Sequence, residues 1–211
     1  MIGRPRAIAA LLMLMAGAAR ADEAELVDIA ERIPDAVLDL RYATADNFLK
    51  RKVYPDGARC LLRPAAAARL ERAARTLREA GFRIRLFDCF RPRSVQWEMW
   101  RIFPRPGYVA DPRKGSNHNR GVAVDLSLVD LQGRDVEMPT EFDTFSPAAH
   151  HGYAAASSAA RRHRELLLRA MEEAGFRRNR MEWWHYDLPK AGKYPILEAP
   201  LASVTRAAAP R

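Results

Sequence analysis

The sequence has few of the residues that simple metal motifs need. Its 211 residues include two cysteines, Cys60 and Cys89, and five histidines. With no Cys-x-x-Cys pair, a zinc site built on the cysteines is disfavoured. No apolar run comfortably reaches the ~20 residues needed to span a bilayer, and no internal repeat or low-complexity block is present. Like charge is not gathered into a block either. The formal charge is +9, but a stretch such as "ARRHRELLLRA" interleaves its cations with leucine and alanine. That pattern describes a solvated helix face rather than a nucleic-acid stripe.

The first residues depart from an otherwise ordinary globular composition, 48% apolar and 29% charged. A basic start, "MIGRPR", leads into the apolar "AIAALLMLMAGA" and then Ala19-Arg20-Ala21. This is the three-part layout of a secretory signal. We expect residues 1–21 to be a cleavable signal and residues 22–211 a single domain starting at Asp22, exported to the periplasm without a membrane anchor. An exported chain with an even cysteine count invites one disulfide, Cys60–Cys89. Closing a loop of that length would stabilise the fold by about 3–4 kcal/mol.

Periodicity places the main elements. Arg63 to Gly81 reads as a helix, with Pro64 in its first turn and glycine at its stop. "FRIRLFDCF" alternates as a strand, with Ile84, Leu86 and Asp88 on one face and Arg83, Arg85, Phe87 and Cys89 on the other. "SVQWEMWRIF" is a short amphipathic helix, "GVAVDLSLVD" a second strand and "LQGRD" a hairpin turn. Ser157 to Gly175 is a long capped helix, and "MEWWHYDL" a third strand-like segment. The elements mix too irregularly for repeating βαβ units. The expected fold is α+β, one domain of helices on a small, mainly antiparallel sheet.

Two strands carry titratable groups where apolar ones would be cheaper. Asp125 shares its face only with small Ala123 and Ser127, and an unpaired carboxylate there is costly. His118 precedes it by seven positions, with Gly121 between to let the backbone turn and approach closely. His185 offers a third donor. Two imidazoles and one carboxylate, with a fourth position open, suit catalytic zinc. Positions 182 and 185 of a regular strand point to opposite faces, so Glu182 and His185 share one site only if the segment bends. Glu182 would then serve as a proton carrier rather than a ligand, with Trp183 and Trp184 excluding solvent and raising its proton affinity. Arg91, fixed by Pro92 at a strand end, is a candidate oxyanion donor; on this segment in isolation a surface salt bridge is the better reading.

Taken together, Ser116-x-His118-x-x-Gly121-x-Ala123-x-Asp125, Glu182-Trp183-Trp184-His185-Tyr186, Phe90-Arg91-Pro92 and "RYATADNF" resemble the zinc D-alanyl-D-alanine dipeptidases, which include the dipeptidases of vancomycin resistance. The likeness runs in order from about Arg41 to Tyr186. It implies one zinc ion per chain held by His118, Asp125 and His185, with Glu182 as general base and acid and Arg91 on the scissile carbonyl. It further implies that Asp143 holds the substrate ammonium and that Tyr42, Ser116 and Tyr54 line the pocket. The implied fold is the small zinc peptidase fold shared with lysostaphin-like enzymes and the hedgehog signalling domain. Members often carry Tyr at the position of Phe90 and Gly at that of Cys89. The expected activity is hydrolysis of D-Ala-D-Ala to D-alanine. A D,D-carboxypeptidase or endopeptidase acting on peptidoglycan stems, and a zinc-bearing binding module without turnover, remain open at this point.

Overall fold

The structure is a computed structural model that describes residues 26–202. The signal-like segment and its cleavage point lie outside the described residues. In chain order come β1 (Val27–Asp28), α1 (Ile29–Arg32), β2 (Val37–Leu38), β3 (Leu61–Leu62), α2 (Pro64–Glu79), β4 (Phe82–Asp88) and α3 (Arg93–Ile102). They are followed by β5 (Ala123–Asp130), α4 (Ser158–Glu173), β6 (Arg177–Asn179) and β7 (Glu182–Asp187). One five-stranded sheet runs β2-β4-β5-β7-β6, and β1 pairs with β3 beside it. Only the β2–β4 pairing in the larger sheet is parallel. The expected α+β architecture is therefore the one observed.

The long helices form where punctuation and stripe agree. Pro64 opens α2, where its missing N–H is not needed, and Gly81 leaves the helix at φ 90°. Ala66, Ala67, Leu70, Ala73, Ala74 and Leu77 make its buried face. In α4 the Ser157 hydroxyl caps the Ala160 amide at 3.0 Å, and Gly175 turns the chain at φ 94°. The two helices pack on each other, and Arg72 of α2 donates to the Ala174 carbonyl at the α4 terminus, 3.0 Å away. Ile84, Leu86, Leu126 and Leu128 share one core with these helices. The arginine-rich face of α4 is not wholly solvated. Arg164 is buried, donating to the His150 and Tyr153 carbonyls at 3.2 and 3.0 Å.

The "LQGRD" turn is present, with the Asp130 amide donating to the Arg134 carbonyl at 2.9 Å. Beyond it only a single bridge, Val129 to Asp135, continues the pairing. Cys60 and Cys89 form the expected disulfide. Among the described residues no helix is long and apolar enough to cross a membrane.

Candidate active site

The site grows from one cross-strand row. Asp88 of β4 pairs with Asp125 of β5, which pairs in turn with His185 of β7. Simple alternation puts Asp88 with Ile84 and Leu86, on the core face. The structure corrects this. The β4–β5 register shifts between Leu86 and Asp88, so Phe87 is an extra residue and everything after it changes face. Asp88 consequently joins the Asp125 side.

His118 enters from a 3₁₀ turn, His118–Arg120, that ends on Gly121 at φ 67°. The left-handed turn is what favours glycine here; a Cβ at Gly121 would also meet a Leu26 side-chain methyl at 2.7 Å. The His118 Nδ1 sits 2.7 Å from the Cys89 carbonyl and donates to it, which leaves Nε2 free as an acceptor.

Three donor atoms converge here. His118 Nε2 is 3.2 Å from His185 Nδ1 and 3.3 Å from Asp125 Oδ1, and His185 Nδ1 is 2.9 Å from Asp125 Oδ1. Tetrahedral ligands about 2.0–2.1 Å from a zinc ion stand roughly 3.3 Å apart. The residues thus fit a small divalent ion in both spacing and donor chemistry, and among the described residues they are the one cluster that does. Burial alone would raise the Asp125 carboxyl, but the two imidazoles outweigh it and hold the group well below its usual range. The centre is built to keep a negative charge.

β7 bends as the spacing requires. Arg178 of β6 pairs with Tyr186, yet the next residue, Asn179, pairs with Glu182, so Trp183, Trp184 and His185 are left out of the β6–β7 ladder while His185 keeps its pairing with β5. Glu182 and His185 consequently face one cavity of about 640 Å³, which Arg91, Asp143 and Ser116 also line. The Glu182 carboxylate is buried and accepts from Asn179 Nδ2 at 2.7 Å. Burial pushes it up to about 8, with Asp125 and Asp143 adding to the shift and His185 opposing it. Of the two tryptophans, Trp184 walls the cavity. Trp183 turns away, its indole N–H donating to Thr140 at 3.0 Å.

Arg91 is no surface ion pair. It is buried, and its Nε and one terminal nitrogen donate to Asp88 Oδ2 at 2.9 and 2.5 Å. The other terminal nitrogen donates to Gln96 at 2.8 Å, and the guanidinium lies 5.1 Å from the Tyr42 ring centroid. At Asp143 the backbone is left-handed, φ 60°, a region that Asp tolerates better than most residues. Its carboxylate accepts from the Tyr42 hydroxyl, 3.2 Å from each oxygen, and from the Phe48 amide at 3.2 Å. Burial lifts this group to about 7, against the Phe48 amide and with help from Asp125.

A family model described as D-Ala-D-Ala dipeptidase matches residues 22–204. The chain is 39% identical over 176 residues to the D-alanyl-D-alanine dipeptidase of Escherichia coli (strain K12), covering 83% of this chain and 91% of that protein. The chain belongs to the D-Ala-D-Ala dipeptidase family. The D-alanyl-D-alanine dipeptidase of Enterococcus faecalis is 32% identical over 175 residues, 71% of this chain and 84% of that protein. Like other members of this metal-dependent peptidase family, the chain is a metallopeptidase.

The remaining residues named from the dipeptidase resemblance divide into two groups. Tyr42 and Ser116 line the cavity. Tyr54 does not; it sits one layer back, fully enclosed, and donates to Asp88 Oδ1 at 2.6 Å. Sequence reasoning missed Asp88, the carboxylate that binds Arg91 and Tyr54 together. It also missed Asn119, whose side chain donates to the Arg91 carbonyl at 2.7 Å, and Asn179 behind Glu182. Asp88 stands three residues before Arg91, and a carboxylate placed to pair a buried arginine was the available signal.

Proposed function

We propose that this protein hydrolyses D-Ala-D-Ala to free D-alanine with one zinc ion held by His118, Asp125 and His185. One observation carries the reading. A three-donor metal cluster, a proton-avid glutamate, a buried arginine and a further carboxylate, Asp143, all line a single cavity. Zinc, when bound, supplies Lewis-acid chemistry that sharpens a water as nucleophile and the scissile carbonyl as electrophile. Glu182, held high by burial, accepts a proton from the attacking water and delivers it to the departing amine. Arg91, fixed by Asp88 and Gln96, presents its charge to the oxygen where negative charge develops. Asp143 and Tyr42 receive the substrate ammonium, and Trp184 keeps bulk water from Glu182.

The names of the relatives support this substrate, and the presence of both Glu182 and Arg91 at the cluster argues against a binding module without turnover. The cavity, about 640 Å³, leaves room beyond an alanine dipeptide and favours a second reading, cleavage of longer peptidoglycan stem peptides. Asp143 weighs against that, since a partly buried carboxylate lining the cavity without a cation paired to it among the described residues suits a free amino terminus. Export to an oxidising compartment, the periplasm, is supported by the signal-like residues 1–21 and by the disulfide.

A hydrolysis assay tests the reading. D-Ala-D-Ala should be cleaved, L-Ala-L-Ala and a stem pentapeptide should be poor substrates, and chelator should abolish turnover. A pentapeptide cleaved faster than the dipeptide would favour the second reading.

A further inference from the structure

The segment Asp88–Arg91 supports two parts of the site at once. The Asp88 carboxylate orients Arg91, and the Cys89 carbonyl accepts from His118 Nδ1, setting which nitrogen faces the other metal donors. The Arg91 amide donates back to the His118 carbonyl at 3.2 Å, so the two loops are joined. None of these residues lies in the middle of a regular strand, and Phe87 just before them is a bulge. Something outside the sheet must hold them.

That support is the stretch Cys60–Arg63. The Cys60 sulfur is bonded to Cys89, and the Leu61 carbonyl accepts from the Phe90 amide at 2.9 Å. The Arg63 amide donates to the Gly121 carbonyl at 2.9 Å, and its guanidinium donates to the Arg120 carbonyl at 2.7 Å. One short strand thereby reaches both loops, the one carrying Arg91 and the one carrying His118. Its only covalent tie to either is the disulfide, and both sulfurs are buried, Cys60 at 0% and Cys89 at 1% exposure.

We propose that the Cys60–Cys89 bridge positions the catalytic centre: it fixes the Cys89 carbonyl that orients His118 and the adjoining carboxylate that orients Arg91. The bridge is a positioning element acting through those two side chains and touches no substrate. The inference rests on the zinc dipeptidase reading for its activity readout, but its metal readout is independent of substrate.

The test compares Cys60→Ala/Cys89→Ala with the native protein and with Leu77→Ala, a core change in α2 away from the site. All are measured well below their unfolding temperatures. Zinc affinity is read by competition with a chromophoric chelator, and kcat and KM with D-Ala-D-Ala. Loss of an outer support of a metal-bound histidine typically weakens metal binding about 10–100-fold. The double variant should show a loss in that range and a comparable fall in kcat, with KM within about twofold, because Asp143 and Tyr42 lie on other segments. Leu77→Ala should lower the unfolding temperature and leave zinc affinity unchanged. If the double variant does not fold, Cys60→Val/Cys89→Ala refills the vacated volume for the same comparison. Native zinc affinity and kcat without the bridge would overturn the proposal, as would an equal loss in Leu77→Ala. If D-Ala-D-Ala proves not to be the substrate, the zinc measurements still decide the matter.

Discussion

Asp143→Asn separates function from stability at one position. Asparagine keeps the shape and tolerates the left-handed backbone at φ 60°, so the change removes charge with little strain. Burial lifts the Asp143 carboxyl from 3.8 to about 7. Well below pH 3.8 it is protonated in both folded and unfolded chains and no stability is lost; near pH 4 the loss is still small. As pH rises towards 7 the unfolded chain ionises freely while the folded chain resists, so stability falls; above 7 the loss is constant. At 1.36 kcal/mol per pH unit, it reaches at most about 4 kcal/mol. Asp143→Asn should therefore match the native protein near pH 4 and exceed it at pH 8 in metal-free buffer. For a chain of this size the gap is roughly 10 °C. Thermal unfolding of both chains from pH 4 to 8 reads it directly. The same variant should raise KM about 10–100-fold by losing a charge-assisted hydrogen bond to the ammonium. An Asn variant that is no more stable at pH 8 would refute the claim that Asp143 is kept for function at a cost to the fold.

Glu182→Gln should retain zinc yet lose about 10²–10⁴ in kcat, read by elemental analysis beside turnover. In Arg91→Lys the fork that engages Asp88 and Gln96 is gone, and kcat should fall by about 10²–10³ with KM less affected. Tyr54→Phe removes a donor to Asp88 without touching the cavity. It should cost about 1–3 kcal/mol in denaturant unfolding and change KM less than Tyr42→Phe does.

Much of this was legible in the sequence because its signals are periodic or chemically loud. The Ala/Leu stripe from Pro64, the capped helix after Ser157 and the alternation around Asp125 each repeat often enough to fix an element. A carboxylate among Ala123 and Ser127 announced a polar face, and Glu182-x-x-His185 required the bend that β7 makes. The short strands β1, β2, β3 and β6, two or three residues each, carry no period and form only because the tertiary structure pairs them. Asp88 was misplaced because a one-residue bulge inverts alternation and leaves no mark in the pattern. Tyr54 and Trp183 show the limit of motif reasoning: proximity in sequence to a site does not decide whether a ring faces the cavity or the layer behind it.

The proposed chemistry depends on His118, Asp125 and His185 closing on one ion. Metal content of purified protein, measured after dialysis alongside Asp125→Ala, tests this most directly. One zinc per native chain and almost none in the variant, with both folded, is the expected result. Native protein that holds no divalent metal, or Asp125→Ala that holds as much as the native chain, would contradict it.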